Sequence, residues 1–195
     1  MGAKKNIDFE RVLQTAIALA DEGGFESVTL ASVANQLGIR IPSLYNHVAG
    51  LAALRMEMAL WGVRELGERV RRAAVGKSGD AAVFSVAEAY RAFALAHPGI
   101  YAATQRAAQA NQPELAAAQT EVLDVMLAVM AAYDLDEDDT LHAIRALRSA
   151  MHGFIDLETS GGFGMPLDRQ DSFRKLIQLV VVGLNTAKEA VESSE

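Results

Sequence analysis

The side chains best suited to chemistry form a short polar group between positions 40 and 47. The group consists of Arg40, Ser43, Asn46 and His47. Their hydrogen-bonding groups have the length to reach phosphate oxygens and base edges in a DNA groove. We therefore expect this segment to contact double-stranded nucleic acid.

Two helical patterns position this polar group. Apolar residues recur at helical spacing in two sets, Leu30, Val33, Ala34 and Leu37, and then Ile41, Leu44, Tyr45 and Val48. Thr29 is a natural N-cap, Gly38 fits the left-handed end of the first helix, and Pro42 suits the first turn of the second. The pattern predicts a helix-turn-helix; the alternative is an ordinary pair of packed helices.

The same segment resembles the TetR/AcrR family of bacterial one-component regulators. The resemblance is carried by Val28-Thr29-Leu30, Val33-Ala34, Leu37-Gly38-Ile39 and Ser43-Leu44-Tyr45-Asn46-His47-Val48. It implies that Tyr45 and His47 contact phosphate. The chain departs from the family at Leu51 and Ala52, where a Lys-Glu pair is usual, and at Val48, where phenylalanine is usual. The expected DNA-binding residues are Thr29, Arg40, Ser43, Tyr45, Asn46 and His47.

A second resemblance lies nearer the carboxyl end. Met151-His152-Gly153-Phe154, followed by Gly161-Gly162-Phe163-Gly164, is similar to the family subgroup whose C-terminal domain is named for a Trp-His-Gly motif. Methionine takes the place of the tryptophan here. This resemblance implies no particular ligand.

Charge and composition limit the alternatives. The net charge is −7, of which residues 1–58 carry −1 and residues 59–195 carry −6, so the acidity lies mostly outside the expected DNA reader. The absence of cysteine excludes disulfides and thiolate metal sites. No signal-peptide core or long apolar run is present, so we expect a cytoplasmic protein without membrane contact.

Catalytic and metal chemistry have little support. The histidines His47, His97, His142 and His152 form no His-x-x-x-His or Glu-x-x-His pair, so we expect no metal and no cofactor. No nucleophile, base and orienting group can be assembled, so we expect no enzyme and no catalytic residue.

The whole chain reads as all-α, with about nine helices and no strand pattern. Besides the helix-turn-helix pair, we expect helices over residues 8–21, 51–70, 80–96, 100–108, from 113, 137–158 and 171–190. Residues 1–50 are predicted to form a three-helix DNA-binding domain. Residues 51–195 are predicted to form a helical domain for ligand binding and dimerisation.

The apolar pattern of the ninth helix predicts that it contacts a second copy of the protein. Its apolar stripe consists of Phe173, Leu176, Ile177, Val180, Val181 and Leu184, and Leu179 and Val182 add apolar surface elsewhere. A helix that is apolar nearly all round must be buried on more than one side. We expect a homodimer, and the family resemblance implies a seam from helices eight and nine; the alternative is the centre of a monomeric core.

A ligand pocket is expected between helices four and eight. Its candidate lining consists of Trp61, Tyr90, Phe93, Tyr101, Leu123, Met126, Met130, Met151 and Phe154, with methionines that adapt to varied shapes. Glu158 or His97 could supply one polar anchor. Any single one of these residues could equally be plain core.

These expectations combine into a dimeric, ligand-responsive transcriptional repressor. It would bind a palindromic DNA operator and release it when a small apolar or amphipathic effector binds. Two alternatives stay open, a small-molecule-binding helical protein with a decayed DNA reader and a helical enzyme.

Overall fold

A computed structural model describes residues 7–105, 108–109 and 111–192 of the protein, and within these ranges the only regular elements are helices. The described part contains nine α-helices: α1 (Phe9–Gly23), α2 (Leu30–Leu37), α3 (Ile41–Leu44), α4 (Leu51–Ala74), α5 (Gly79–Ala96), α6 (Pro98–Thr104), α7 (Pro113–Met130), α8 (Glu137–Thr159) and α9 (Arg169–Glu192). Short 3-10 helices span Phe25–Ser27 and Ala131–Tyr133. The all-α class and the expected number of helices are confirmed.

Three local expectations need correction. The second helix of the pair ends at Leu44 and continues as a turn over residues 45–47. The helix expected to reach residue 108 ends at Thr104, and residues 106 and 107 lie outside the described part. The helix expected to begin at residue 80 begins at Gly79.

The chain divides into two compact units. The first comprises Met1–Arg64 and Ala96–Ala116, so it contains α1, α2, α3, α6 and the first part of α4. Its core includes Val12, Ala16, Val33, Leu44 and Leu54, which are almost completely buried. This unit carries every candidate DNA-binding residue.

The second unit comprises Glu65–Leu95 and Ala117–Glu195. Its core is built from Phe93, Met130, Leu147, Ile155, Phe173 and Ile177. Arg91 on α5 donates from Nε to Glu158 of α8 at 2.7 Å, and its guanidinium lies 5.3 Å from the centroid of the Phe173 ring. A buried carboxylate is thus paired rather than isolated, as burial of a charge requires.

A second polar cluster of the second unit is formed by Asp80, Tyr133 and Asn185. The hydroxyl of Tyr133 donates to Asp80 at 2.8 Å, and the side-chain amide of Asn185 donates to the same carboxylate. Burial, together with this bond to a carboxylate, raises the pKa of the Tyr133 phenol above its ordinary value. These hydrogen bonds connect the start of α5, the 3-10 helix Ala131–Tyr133 and α9.

Candidate nucleic-acid interface

The start of α2 is fixed by a reciprocal cap. The Thr29 hydroxyl accepts from the Ser32 amide at 3.0 Å, and the Ser32 hydroxyl accepts from the Thr29 amide at 3.0 Å. Two of the helix's orphan donors are satisfied in this way. Thr29 is exposed, and its structural role as N-cap is confirmed.

The turn between α2 and α3 follows the sequence expectation. Gly38 has φ 69° and ψ 32°, a left-handed conformation that glycine adopts without a Cβ clash. Pro42 stands in the first turn of α3, where a missing amide donor costs nothing. The end of α2 and the start of α3 therefore lie where their residue types direct.

The predicted reader residues lie mostly at the surface. Arg40, Ser43, Tyr45 and Asn46 are exposed, and Tyr45 is 57% exposed although it is aromatic. His47 is half-buried. Leu44 and Val48 are buried and anchor the segment in the first unit. The segment presents hydrogen-bonding groups outward on a fixed backbone, an arrangement suited to reading base edges and phosphates.

An arginine on α4 holds the segment that leads into α2. Arg55 Nη2 donates to the backbone carbonyls of Glu26 at 2.7 Å and Val28 at 3.3 Å, and Nη1 lies 2.9 Å from the Glu26 carboxylate. The guanidinium also lies 5.9 Å from the centroid of the Phe25 ring. This clamp could not be predicted from the sequence, because its partners are more than 25 positions away from Arg55.

The two polar groups considered as ligand anchors are both engaged in structural bonds. His97 Nδ1 lies 2.8 Å from the Asp21 carboxylate. Glu158 is paired with Arg91. Neither group is left unpartnered for a ligand.

The candidate ligand-contacting residues fall in both units. Trp61 and Tyr101 belong to the first unit, and Tyr90, Phe93, Leu123, Met126, Met130, Met151 and Phe154 belong to the second. Most are buried, but Trp61 and Phe154 are half-buried. Leu123 is 37% exposed, so it lies at the surface of the protomer and does not belong to its core. The buried side of α7 carries Met126, Val129 and Met130 instead.

The ninth helix has two distinct apolar faces. Phe173, Ile177, Val181 and Leu184 are buried within the second unit of a single protomer. Leu179 and Val182 are 73% and 53% exposed. The buried set completes the protomer's own core, whereas the exposed pair is left without cover in the protomer.

One apolar stretch also meets a test for membrane spans. Among the described residues, the segment Pro113–Tyr133 is long and apolar enough to cross a bilayer by length and composition only, and 28% of its apolar 18-residue window is buried in the protein. Core helices of water-soluble proteins meet the same criteria. This is weak evidence for a membrane.

Comparisons with known proteins connect this geometry to a family. The model of the "Tetracyclin repressor-like, C-terminal domain" matches residues 83–180. The HTH-type transcriptional regulator YobS of Bacillus subtilis is 32% identical over 184 residues, covering 94% of this chain and 96% of the relative. The HTH-type transcriptional regulator Rv0681 of Mycobacterium tuberculosis is 35% identical over 153 residues, covering 78% and 70%.

A solved structure shares the fold. TetR-Q116A from Acinetobacter baumannii, crystallised in complex with minocycline, is 20% identical with a TM-score of 0.68. The similarity covers 94% of this chain and 99% of that one. The relatives are transcriptional regulators rather than enzymes.

Proposed function

The chain belongs to the TetR family of transcriptional regulators, and we propose that it is a homodimeric repressor that releases its operator when a small apolar or amphipathic molecule binds. Residues 1–50 would read DNA, and residues 51–195 would dimerise and sense the effector. A cytoplasmic location, without membrane contact, follows from this role.

One observation carries the DNA-reading part of the proposal. The capped pair α2 and α3 leaves Arg40, Ser43 and Asn46 exposed beside the buried Leu44. We assign Asn46 to a base edge, since its amide can pair with the N6 and N7 groups of adenine. We assign Tyr45 and His47 to phosphate, and Arg40 to guanine or phosphate.

The uncovered face of α9 supports the dimer. Leu179, Val182, Gly183 and Thr186 are exposed and follow helical spacing along one side of the helix. Along α8, small or apolar exposed residues recur at Ala146, Ser149, Gly153 and Leu157. We propose that these sides of α8 and α9 meet their copies across a two-fold axis. Such a dimer matches a palindromic operator, because its two readers are related by the same symmetry.

Effector sensing is proposed to act through α4. This helix runs from Leu51 to Ala74, and Arg55 in its second turn binds the backbone that precedes α2. A displacement of α4 would therefore carry the reader with it. An effector that favours the displaced position would release DNA through its different affinity for the two states.

A gel shift tests the proposal most directly. Labelled DNA flanking the protein's own gene and a random duplex of equal length are titrated at about 50 and 200 mM salt. We expect a discrete, salt-sensitive complex with flanking DNA only. The double variant Arg40→Ala/Asn46→Ala should lose this complex while its thermal melt stays close to that of the wild type.

A negative gel shift and an effector titration would test the two parts of the proposal separately. Failure of the wild type to bind either DNA would contradict the repressor and favour a ligand-binding protein with a decayed reader. For sensing, Trp61 is the sole tryptophan, so its emission reports on one place during a titration with apolar compounds. A true effector must bind more weakly in the presence of operator, by the same factor by which it weakens DNA binding.

A further inference from the structure

One carboxylate on α1 binds the first turn of α6. Asp21, near the end of α1, accepts hydrogen bonds from the amides of Gly99 at 3.2 Å and Ile100 at 3.3 Å, both through Oδ1. Its second oxygen, Oδ2, lies 2.8 Å from Nδ1 of His97. The Asp21 and His97 side chains are 17% and 22% exposed. One side chain thus satisfies the amides at the start of α6 and orients the imidazole that precedes them.

Two glycines allow α6 to pack closely against α1 and α4. A Cβ on Gly99 would lie 1.9 Å from the backbone oxygen of Ala20 on α1. A Cβ on Gly62 of α4 would lie 2.4 Å from Cγ2 of Ile100 on α6. Because backbone and side-chain atoms leave no room at either glycine, α6 touches both α1 and α4 with little freedom to shift.

The fluorescence of Trp61 can report on the contact between α1 and α6. The ring of Trp61 on α4 meets the ring of His97 edge-on, with centroids 5.2 Å apart and an interplanar angle of 84°. Trp61 is the sole tryptophan of the chain. Its emission therefore reports whether His97 stays in the position that Asp21 gives it.

We propose that Asp21 is a positioning residue for DNA binding, which holds α6 against α1 so that the reader is presented in its binding-competent arrangement. The inference rests on the proposed function. Asp21 itself need not touch DNA; it acts because α1 packs against α2, and α2 packs against α3. Loosening α6 would let α1 shift, and the shift would reach Ser43 and Asn46 through these contacts.

The direction in which Asp21→Ala changes DNA affinity distinguishes a positioning role from a simple effect of charge. Removal of a carboxylate from a DNA-binding unit lowers its repulsion of phosphate, so charge alone predicts that Asp21→Ala binds DNA more tightly. Positioning predicts the opposite. We expect Asp21→Ala to weaken binding to flanking DNA by roughly 2- to 30-fold, the range found for residues that couple sites without contacting a ligand.

Two matched variants complete the design. Asp21→Asn keeps an oxygen that can accept from the Gly99 and Ile100 amides, and its NH2 can donate to His97 Nδ1 when the imidazole carries its proton on Nε2, so it should restore operator affinity and the wild-type emission of Trp61. Glu22→Gln removes a charge from the next, exposed residue of α1 and should bind DNA at least as tightly as the wild type. Fluorescence anisotropy with labelled DNA gives the affinities, and the same samples give the Trp61 emission spectra.

A third variant serves if Asp21→Ala fails to fold. Gly62→Ala changes no charge but forces Ile100 away from α4, and it should weaken operator binding and alter Trp61 emission. The inference is overturned if the folded Asp21→Ala variant binds like Glu22→Gln, if Asp21→Asn loses as much affinity as Asp21→Ala, or if Gly62→Ala leaves DNA binding unchanged. Failure of the wild type to bind flanking DNA would instead contradict the proposed function together with the inference.

Discussion

The outer face of α9 yields the most direct test of the assembly. Leu179 and Val182 are 73% and 53% exposed in the protomer, and they lie on one side of a long helix. If this side forms the two-fold seam, a charge at Leu179 should separate the protomers without disturbing their folding. We therefore predict that Leu179→Glu is a folded monomer.

The magnitude follows from the exposed fractions. Full burial of a leucine or valine side chain stabilises by about 1.5–3 kcal/mol. Burying what Leu179 and Val182 expose, in both protomers, would then contribute about 4–8 kcal/mol, of which Leu179 supplies about 2–4 kcal/mol. Loss of that share alone weakens the dimer at least about 30-fold. Desolvation of the new carboxylate adds several kcal/mol of cost per protomer.

Two neighbouring positions provide the controls. Gln178 is exposed and lies about 100° round the helix from Leu179, one turn before Val182 and so at the margin of the proposed seam; Gln178→Glu adds the same charge there and should weaken the dimer much less than Leu179→Glu. Val181 is 1% exposed within the protomer, so Val181→Glu should unfold the second unit rather than only separate the subunits. The three variants place one new carboxylate on three sides of one helix.

Sedimentation velocity over a wide range of protein concentration gives the association state, and far-UV circular dichroism gives the fold. Operator binding by Leu179→Glu should fall sharply, because two half-sites are no longer bridged. A Leu179→Glu protein that sediments as a dimer at the wild-type midpoint would refute the placement of the seam. A Gln178→Glu protein that dissociates equally would show that net charge, not the apolar face, controls association.

Three further predictions concern single side chains. Asn46→Ala should cost about 1–3 kcal/mol on the specific operator and leave random DNA nearly unaffected; an equal loss on both, by fluorescence anisotropy, would make Asn46 a backbone-positioning residue. Thr29→Ala removes the N-cap of α2 and should lower the free energy of unfolding by about 1 kcal/mol, seen as a lower Tm, whereas an unchanged Tm would mean that Ser32 or water replaces the cap. Tyr133→Phe should cost about 1 kcal/mol at neutral pH through the lost bond to Asp80. Because burial and Asp80 raise the Tyr133 pKa above its ordinary value of 10.0, the stability that this phenol supplies is present below that pH and is lost as pH rises beyond it. Denaturant melts above pH 10 should therefore fall less steeply for Tyr133→Phe than for the wild type, and parallel curves would contradict the assignment.

Features that depend on neighbouring residues could be predicted from the sequence. Thr29, Gly38 and Pro42 each act within one helical turn, through a hydroxyl, a left-handed backbone and a missing amide. The start and end of α2 and the start of α3 follow for the same reason. The error at α3 is also local in origin: apolar spacing continues through Tyr45 and Val48, but regular helix stops at Leu44. Periodicity reports which side chains share a face and does not report where the backbone hydrogen bonds end.

Contacts between distant parts of the chain could not be predicted. The carboxylate of Asp21 meets His97 across 76 positions, and Arg91 meets Glu158 across 67. Nothing in composition or periodicity selects one such pair among the many possible ones. The two faces of α9 show the same limit, since the pattern gave an apolar helix but not the division between Val181, which is buried in the protomer, and Leu179, which is exposed.

The charges of the first unit explain how an acidic chain can read DNA. Arg55 is engaged with the Glu26 carboxylate and with two backbone carbonyls, so its charge holds the reader in place rather than contacting phosphate. Position 51, where the family resemblance places a phosphate-binding lysine, holds leucine. Arg40 is exposed beside the neutral Ser43 and Asn46. Recognition by this reader would thus depend less on counterion release and more on directed hydrogen bonds. Such bonds require an accurately placed backbone, which the Thr29 cap, the Arg55 clamp and the hydrogen bonds of Asp21 to α6 help to provide.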